Sequence, residues 1–397
     1  YDWGWHTTAL AASLGHLKEI LAPGTPLFGL MGEFEPNYLA AVLVAADLAG
    51  LQLESLAIRP ELNSAQINWA WQPSMPSAAT ALPESVAAQA TARYLEERGE
   101  PASFMHAFSA AMAGLAQAHC SQNLPRKSIP AEDSASDAYT QAAAIGKEVL
   151  SYRHGFLRYS LALRGKGEFG APQLITVSAE PAEGSETDSA KGSSTAKPQS
   201  TEKSPAELPE SGQVWLRDAS HATLSPLADR IEVALVNYLL KHNGCSLQEI
   251  DSAMCAAFTA LSTPELEYLQ ICLDSYAEPE PGASPRWMLR PQDTPAARRQ
   301  DLADAETLIR RLGERLGFST ELRPSTTTPD GRPTQHTFCW VDRNQLQQYW
   351  LFPIVSAVIG EIILQSTVPA GKSLIILPGG RANLVSYKLR RDPRLVR

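Results

Sequence analysis

The sequence predicts a mixed α/β protein, and three features of its 397 residues lead to that prediction. Residues 1–73 alternate amphipathic helices with short apolar strands, which is the pattern of a sheet covered by helices. Residues 301–397 alternate in another order, with three strands in succession. Residues 179–212 are rich in Ser, Glu, Pro, Thr and Lys and almost free of apolar residues, so they predict a disordered linker between folded parts.

The composition excludes several classes of protein. The formal net charge is −9, from 43 acidic and 34 basic residues, which argues against binding nucleic acid through bulk charge. The five cysteines form no CxxC pair and the eight histidines form no HxH or HExxH motif, so neither a disulfide framework nor a metal site is indicated. Without a signal peptide or an apolar run of ~20 residues, we expect a cytoplasmic protein with no membrane partner.

Residues 1–73 predict two helices and three strands. The first helix, 7–21, places leucines at helical spacing and ends at Pro23-Gly24, and the second begins at Pro36 and ends at Gly50. The expected strands are 26–31, 52–58 and 65–71. Because only a short turn separates the last two, we expect them to pair antiparallel and to close the sheet.

Three motifs in this segment carry a resemblance to a known family. They are L-x-P-G at 21–24, A-A-x-x-A-G at 45–50 and Q-I-x-W at 66–69. With them, residues 1–73 resemble the C-terminal half of a Rossmann-like, S-adenosylmethionine-dependent DNA methylase of the adenine-specific, amino-methylating type. The resemblance implies a partial methyltransferase sheet with a terminal antiparallel hairpin. It also implies a bacterial enzyme that transfers a methyl group from S-adenosylmethionine to an exocyclic amino group of a DNA base.

The motifs that would perform this chemistry are missing from the sequence. Neither the family's glycine-rich cofactor loop nor its Asp-Pro-Pro-Tyr motif occurs between Tyr1 and Arg397. Both would lie upstream of Tyr1, so we expect a fragment that is truncated at its N-terminus and inactive alone. Half of such a sheet would also expose the edge of an inner strand, which is not a stable arrangement.

The first residues include two candidate substrate-binding side chains, Trp3 and Trp5. The segment Asp2-Trp3-Gly4-Trp5-His6 precedes the first predicted helix, and in the family this region follows the catalytic loop. Exposed aromatic rings there would stack on an extruded base. The alternative is that the tryptophans cap the sheet. We do not expect His6 to act as a general base, since the family relies on the missing motif.

Residues 74–178 predict a helical, winged-helix-like module. The expected helices are 83–98, 102–118 and 138–152, followed by a strand at 173–177. A packing appendage and a duplex-contacting module are both open interpretations. Only scattered arginines support the second, namely Arg93, Arg98, Arg153, Arg158 and Arg164.

Residues 213–300 predict a second winged-helix-like module. Helix 227–241 is followed by a capping box, Ser246 to Glu249, and by a third helix capped by Thr263 with Pro264. A strand is expected at 287–290. The third helix would be the groove reader, yet it carries Glu265, Glu267 and Asp274, which phosphate repels. We therefore favour a structural or protein-binding role.

Residues 301–397 predict a small α+β domain whose order resembles a PD-(D/E)xK nuclease core. The expected elements are helix 303–316, strands 319–323, 334–341 and 347–354, helix 355–364, strand 373–377 and helix 382–391. Nuclease chemistry of this kind needs an acid at the second strand and a (D/E)-x-K motif in the third, whose acids hold magnesium. Residues 347–352 have neither an acid nor a lysine, and Asp342 suits a turn, so we expect a degenerate, inactive core.

The C-terminal end supplies the candidate DNA-binding residues. Pro378-Gly379-Gly380-Arg381 leads into a helix that carries Lys388, Arg390 and Arg391, which we expect to contact double-stranded DNA. The alternative is a solvated basic terminus. A second basic patch, with Arg298, Arg299, Arg310, Arg311 and Arg315, is expected to form ion pairs four residues apart.

These features leave three candidate functions. The leading one is a fragment of a DNA methyltransferase. The second is a non-catalytic DNA-binding or assembly subunit of a defence or modification system. The third, an active nuclease, is the least expected because of the third strand.

Overall fold

The computed structural model shows a mixed α/β protein with two compact units. The first unit comprises Tyr1–Glu97 and Pro101–Thr223, and the second comprises Arg98–Glu100 and Leu224–Arg397. The structure describes residues 2–71, 82–123, 135–162, 174–177, 213–216, 224–242, 244–280, 286–324, 336–342, 344, 348–365 and 368–396. The predicted linker at 179–212 and the side chains of Arg153, Arg158 and Arg164 lie outside these residues.

The first unit contains five helices and six strands within its described residues. In chain order they are α1 (Trp3–Ile20), β1 (Pro26–Met31), α2 (Pro36–Ala49), β2 (Leu51–Arg59), β3 (Ser64–Trp71), α3 (Pro83–Arg98), β4 (Ala102–Ser103), α4 (Phe104–Gln117), α5 (Ala135–Ala162), β5 (Leu174–Val177) and β6 (Gln213–Leu216).

A three-stranded sheet with the order β1-β3-β2 forms the start of this unit. Strand β3 is antiparallel to both neighbours, with Ile67 opposite Gly29 on one side and Leu56 on the other. The predicted antiparallel pairing of the last two strands is therefore confirmed. One face of β2 and β3 is apolar and buried, and helix α2 is buried along most of its length.

Helix α1 begins earlier than the leucine spacing predicts. Asp2 has extended backbone angles, and its carboxylate accepts hydrogen bonds from the N–H groups of Gly4 and Trp5 at 3.1 and 3.2 Å. This N-cap satisfies two N–H groups that the first helical turn leaves free. The Trp3–His6 segment, predicted to precede the helix, therefore forms its first turn.

The remainder of the first unit is mostly helical. The predicted helices 83–98 and 138–152 correspond to α3 and to part of the longer α5. The predicted helix 102–118 begins at Phe104 instead, because Ala102 and Ser103 pair with β6 in a second small sheet of order β4-β6-β5.

The second unit contains six helices and seven strands within its described residues. They are α6 (Leu227–Lys241), β7 (Cys245–Ser246), α7 (Leu247–Ala257), α8 (Leu266–Tyr276), β8 (Ala277–Pro279), β9 (Arg286–Leu289), α9 (Pro295–Arg315), β10 (Ser319–Pro324), β11 (His336–Val341), β12 (Gln348–Pro353), α10 (Gly360–Gln365), β13 (Ser373–Ile376) and α11 (Ala382–Arg391).

Three helices and a small antiparallel sheet, β7-β9-β8, open this unit. The predicted capping box is confirmed, because Ser246 and Glu249 exchange both of its hydrogen bonds. Helix α8 begins at Leu266, since Thr263 closes a short 3-10 turn instead of capping the helix. One hydrophobic core joins α6, α7 and α8 to Ala357, Leu384 and Tyr387, so the predicted boundary at residue 300 does not separate two cores.

A four-stranded sheet of order β10-β11-β12-β13 follows, with two antiparallel pairs and then a parallel one. This agrees with the predicted helix–three strands–helix–strand order. The predicted helix 355–364, however, begins only at Gly360. Residues 355–359 are non-helical because the N–H groups of Ala357 and Gly360 donate to side chains of α6 rather than along a helix, at 2.8 Å in both cases.

Candidate functional site

In the first unit, a candidate site lies where β1 and β2 end. These strands are parallel to each other because both are antiparallel to β3, so their carboxyl ends share one edge of the sheet. Ligands of open α/β sheets bind at such edges. There, the N–H group of Phe34 donates to the Asn63 side chain at 2.9 Å, and Asn63 has a left-handed φ of 50°. This bond ties together the two loops that leave the strands.

The two candidate tryptophans have different environments. Trp3 is only 8% exposed, and its ring packs edge-on against that of Tyr38, with centroids 4.9 Å apart. Trp5 is 43% exposed. The prediction that both rings are free to stack on a base is therefore wrong for Trp3, which packs inside the unit, and Trp5 alone presents an accessible ring. His6 also packs edge-on against Tyr38.

At Gly4, helix α1 lies so close to α5 that a larger residue does not fit between the two helices. A Cβ atom built on Gly4 would lie 1.9 Å from the carbonyl oxygen of Ala142, and one built on Gly146 would lie 2.7 Å from the nitrogen of Gly4. The two helix backbones are therefore in direct contact. This packing positions the first turn of α1, which carries Trp3 and Trp5.

We expect Gly4→Ala to destabilise the first unit by ~1–3 kcal/mol, because the added methyl group forces the helices apart. The matched control is Gly15→Ala in the same helix, where a Cβ atom would meet nothing within 4 Å. That change should stabilise the unit by ~0.5–1 kcal/mol, as alanine normally does in a helix. Urea denaturation of both variants measures the difference, and equal stabilities would contradict the close contact.

A buried hydrogen-bond cluster that sequence reasoning missed surrounds His119. The Nδ1 atom of its imidazole lies 2.8 Å from Oδ1 of Asp47, and Nε2 lies 2.8 Å from Oε1 of Gln52. The other oxygen of Asp47 accepts the N–H group of Ser121 at 2.9 Å. Side chains of α2 and β2 therefore hold both ring nitrogens.

The electrostatics of this cluster indicate a structural role. Burial raises the pKa of Asp47 despite its bonds to His119 and Ser121. Burial also raises the pKa of the neighbouring Cys120 thiol, so this sulfur is protonated and a poor nucleophile. His119 adopts a left-handed φ of 54°, which is uncommon for a non-glycine residue. The cluster therefore clamps a strained turn between α2, β2 and the residues after α4.

In the second unit, Lys388 is buried in an ion cluster and not exposed to DNA. Its Nζ lies 2.5 Å from both Asp229 and Glu232 and donates to the carbonyl oxygen of Ala357 at 2.8 Å. Burial alone would lower its pKa, but Glu232 and Asp229 raise it above the usual value. Burial raises the pKa of Asp229. These three contacts occupy the three N–H groups of the ammonium, so the prediction that Lys388 binds DNA is not supported.

Arg381 is buried as well. Its guanidinium donates to the carboxylate of Asp293 and to the carbonyl oxygen of Ser275, and it lies 3.7 Å from the ring centroid of Tyr276. These contacts join the turn before α11 to the end of α8. A phosphate has no access to this side chain, and the predicted contact of Arg381 with DNA is not supported either.

The other two basic candidates differ from each other. Arg391 pairs with Glu265 at 2.7 Å and with Glu100 at 3.4 Å. Burial alone would lower the pKa of Arg391, but these two acids raise it above the usual value. Arg390 is exposed. Among the basic residues of α11 that were predicted to bind DNA, it is therefore the one whose side chain is open to solvent. Arg98, another predicted duplex contact, is buried against Glu100 at 3.0 Å.

Helix α8 is covered on the side that a groove reader would need. Tyr387 of α11 stacks on Tyr268 of α8, with ring centroids 5.4 Å apart, and its hydroxyl donates to Glu265 at 3.1 Å. On α8 itself, only Glu267 and Asp274 are fully exposed. The predicted structural role of this helix agrees with its packing.

The third strand of the nuclease-like order, β12, brings no metal ligands together. Tyr349 and Leu351 of this strand pack in an apolar cluster with Phe338 and Trp340. Ile354, which follows the strand, packs in a second cluster with Leu395. Across the described ranges, no group of three or more His, Cys, Asp or Glu side chains is placed to hold a metal ion. Nor does any helix in those ranges combine the length and apolar character that crossing a membrane requires.

The chain matches no protein-family model, no curated protein and no solved structure.

Proposed function

We propose that residues 2–71 are the closing part of an S-adenosylmethionine-dependent DNA methyltransferase domain, which methylates an exocyclic amino group of a base. The strand order β1-β3-β2, with an antiparallel last strand, supports this because the sequence resemblance implies such a terminal hairpin. The second unit contributes assembly or positioning of the enzyme. The nucleic-acid substrate rests on the resemblance in residues 1–73.

The observation that carries the proposal is that strand β1 has one open edge and one exposed face. Among the described residues it pairs only with β3, which leaves its other edge without a neighbour. On one face, Phe28 and Leu30 are 69% and 81% exposed. An apolar strand with an open edge and an open face is a position at which a sheet continues. A right-handed connection through α1 would place the preceding strand parallel to β1 at this edge.

The residues present do not make a cofactor site by themselves. The loops at the carboxyl ends of β1 and β2 carry Glu33, Glu35 and Glu61, and the sequence has neither the glycine-rich loop nor the Asp-Pro-Pro-Tyr motif. S-adenosylmethionine would supply the methyl group, held by residues outside 1–397. Within this chain, the exposed ring of Trp5 is the group best placed to stack on a base.

The test is methyl transfer by a longer chain that carries residues 1–397 after its cofactor-binding part. We expect transfer of labelled methyl groups to duplex DNA. In that longer chain, Phe28→Asp with Leu30→Asp should lower stability and activity, because both side chains become buried. In the 397-residue chain the same changes should alter stability by less than ~0.5 kcal/mol, because the side chains are exposed.

Leu82→Asp provides the matched control, since Leu82 is 71% exposed outside the sheet. It should lower neither stability nor activity in either chain, because Leu82 is the residue before α3, where aspartate caps a helix favourably. A longer chain that neither binds S-adenosylmethionine nor methylates DNA would remove the proposal.

A second candidate function, a non-catalytic assembly subunit, is favoured by the second unit. Its predicted DNA contacts Arg381, Lys388 and Arg391 are all neutralised by buried or paired acids. Anisotropy titration of the full chain with a labelled duplex at several salt concentrations distinguishes a subunit that binds DNA from one that only assembles with protein. Tight, salt-dependent binding that Arg390→Glu abolishes would favour a DNA-binding subunit, whereas its absence favours protein assembly.

A further inference from the structure

The second unit contains a cavity of about 170 Å³ between its four-stranded sheet and helix α10. The sheet supplies Phe352 and Ile375, which are register partners in the parallel pair β12–β13. The helix supplies Ile362 and Ile363, and the 3-10 turn after α11 supplies Leu395. Segments that are separated in the sequence thus enclose one apolar space.

The described walls of this cavity carry no charge. Every described side chain that lines it is apolar except that of Ser373. The Ser373 hydroxyl donates to the carbonyl oxygen of Pro369 at 3.1 Å, so its proton is already used and its oxygen can still accept. An ionised ligand would therefore lose its hydration here without gaining a partner of opposite charge.

Several lining side chains keep apolar surface that a ligand would cover. Ile362, Ile363 and Ile375 are only half-buried, although they adjoin the buried core around Ile354. Water is a poor occupant, because an ordered water needs roughly two to four polar partners and Ser373 is the one polar side chain among the described lining residues. Apolar cavities of ~150 Å³ instead stay dry and bind benzene.

We propose that this cavity binds a small uncharged aliphatic alcohol of about six carbons, whose hydroxyl donates to Ser373. The volume sets the size, since a cavity of ~150 Å³ accommodates the six carbons of benzene. The described walls set the polarity, because their side chains offer one free acceptor and no charge. The ligand enters beside Ala370, a lining residue that is exposed to solvent.

A free ligand fits this surface better than a protein partner does, because the apolar residues line a concavity rather than a ridge. Leu374, the residue between Ser373 and Ile375 in β13, is 50% exposed but does not line the cavity. Successive side chains of a strand point to opposite faces, so Leu374 lies on the other face of the sheet. This inference is independent of the methyltransferase proposal, since no residue of 2–71 lines the cavity.

Titration of the full chain with 1-hexanol, followed by NMR of its isoleucine methyl groups, tests the site. We expect saturable shifts of the methyl signals of Ile362, Ile363 and Ile375. The signals of Ile231 and Ile250 should stay unchanged, because both residues lie in the separate core of α6, α7 and α8.

Filling the cavity tests the location. Ala370→Phe places a ring at the entrance and should weaken 1-hexanol binding at least ~10-fold. Leu374→Phe is the matched control, since it adds a ring to the opposite face of the sheet, and it should bind 1-hexanol as the wild type does. Circular dichroism confirms that each variant is folded. Equal effects of the two changes would overturn the proposal.

Removing the hydroxyl tests the chemical class of the ligand. Ser373→Ala should weaken 1-hexanol binding roughly 2–10-fold and leave benzene binding unchanged, because benzene has no hydroxyl to donate. Unchanged 1-hexanol affinity in this variant would overturn the assignment of an alcohol. Hexanoate should not bind, since its carboxylate finds no partner. Hexanoate that binds as tightly as 1-hexanol, or the absence of saturable shifts with both 1-hexanol and benzene, would overturn the site itself.

Discussion

Lys388→Ala is expected to lower the free energy of unfolding of the second unit by ~3–5 kcal/mol. The ammonium is the only cation within hydrogen-bond distance of Asp229 and Glu232 in the described part of this cluster, and its loss leaves two buried carboxylates facing each other. Urea denaturation followed by hydrogen exchange of peptides from α6 and α11 measures this unit separately from the first. Arg390→Ala, two residues further along α11 and exposed, should change stability by less than ~0.5 kcal/mol.

The pH dependence of this variant has a definite sign. Burial raises the pKa of Asp229 above its usual value of 3.8, so the stability that its protonation contributes is fully present below that pH and is lost as the pH rises through the folded-state pKa. Without the ammonium, the pKa rises further. We therefore expect Lys388→Ala to regain part of its lost stability as the pH falls from 7 towards 4. A deficit that is independent of pH would contradict the cluster.

Replacing all three charged groups by apolar residues should not restore stability. In many proteins such a replacement is neutral or stabilising. Here the carboxylates also accept the N–H groups of Ala357 and Gly360 and the hydroxyl of Tyr276. In the triple variant Gly360 and Tyr276 would lose these acceptors, and Ala357 would keep only the Tyr276 hydroxyl, at 3.1 Å. A triple variant as stable as the wild type would show that these backbone bonds contribute little.

Asp47→Ala is expected to cost the first unit ~3–5 kcal/mol at neutral pH. The change removes the acceptor of His119 Nδ1 and of the N–H group of Ser121, and it leaves a small cavity under α2. Since His119 is held at a φ of 54° by these bonds, the turn that contains it should lose its conformation. Hydrogen exchange at residues 118–123 measures the local effect.

Asp47→Asn provides the graded comparison. Its amide nitrogen can donate to Nδ1 of a neutral His119, whose Nε2–H group then donates to Gln52, and its oxygen still accepts from Ser121. We expect a loss of ~1 kcal/mol or less, far below that of alanine. If the asparagine and alanine variants were equally unstable, the charge of the carboxylate rather than its hydrogen bonds would be what the cluster requires.

Much of the fold was predictable because local patterns and packing agree. The bounds of β1, α3, α6 and α11 follow from apolar spacing and from prolines and glycines at their ends. The errors occur where a distant contact overrides the local pattern. The sequence of residues 355–359 is typical of a helix. However, the N–H groups of Ala357 and Gly360 donate to acidic side chains more than a hundred residues away. Phe104 begins α4 because a strand pairing takes the residues before it.

The candidate site was less predictable. Four basic residues near the C-terminus suggested an exposed, DNA-binding helix. Charge alone, however, does not reveal which basic side chains pair with buried acidic side chains. Asp229 and Glu232 on α6 were the available signal, since both sit among apolar residues that face the core. Asp47 was a similar signal in α2. A lone acid on a buried helix face requires a partner, but sequence order does not identify it as His119.

The second unit takes in three residues, Arg98–Glu100, from far earlier in the chain. The carboxylate of Glu100 accepts the N–H group of Ala228, 128 positions later, and the carbonyl oxygen of Gly99 accepts from Arg394, 295 positions later. A ribosome adds ~5–20 residues per second, so Glu100, which can accept from Arg98 at once, waits on the order of ten seconds for the N–H group of Ala228. Gly99 waits for more than twice as long. The second unit therefore completes its folding late in synthesis, because its segment Arg98–Glu100 lacks these two partners until then.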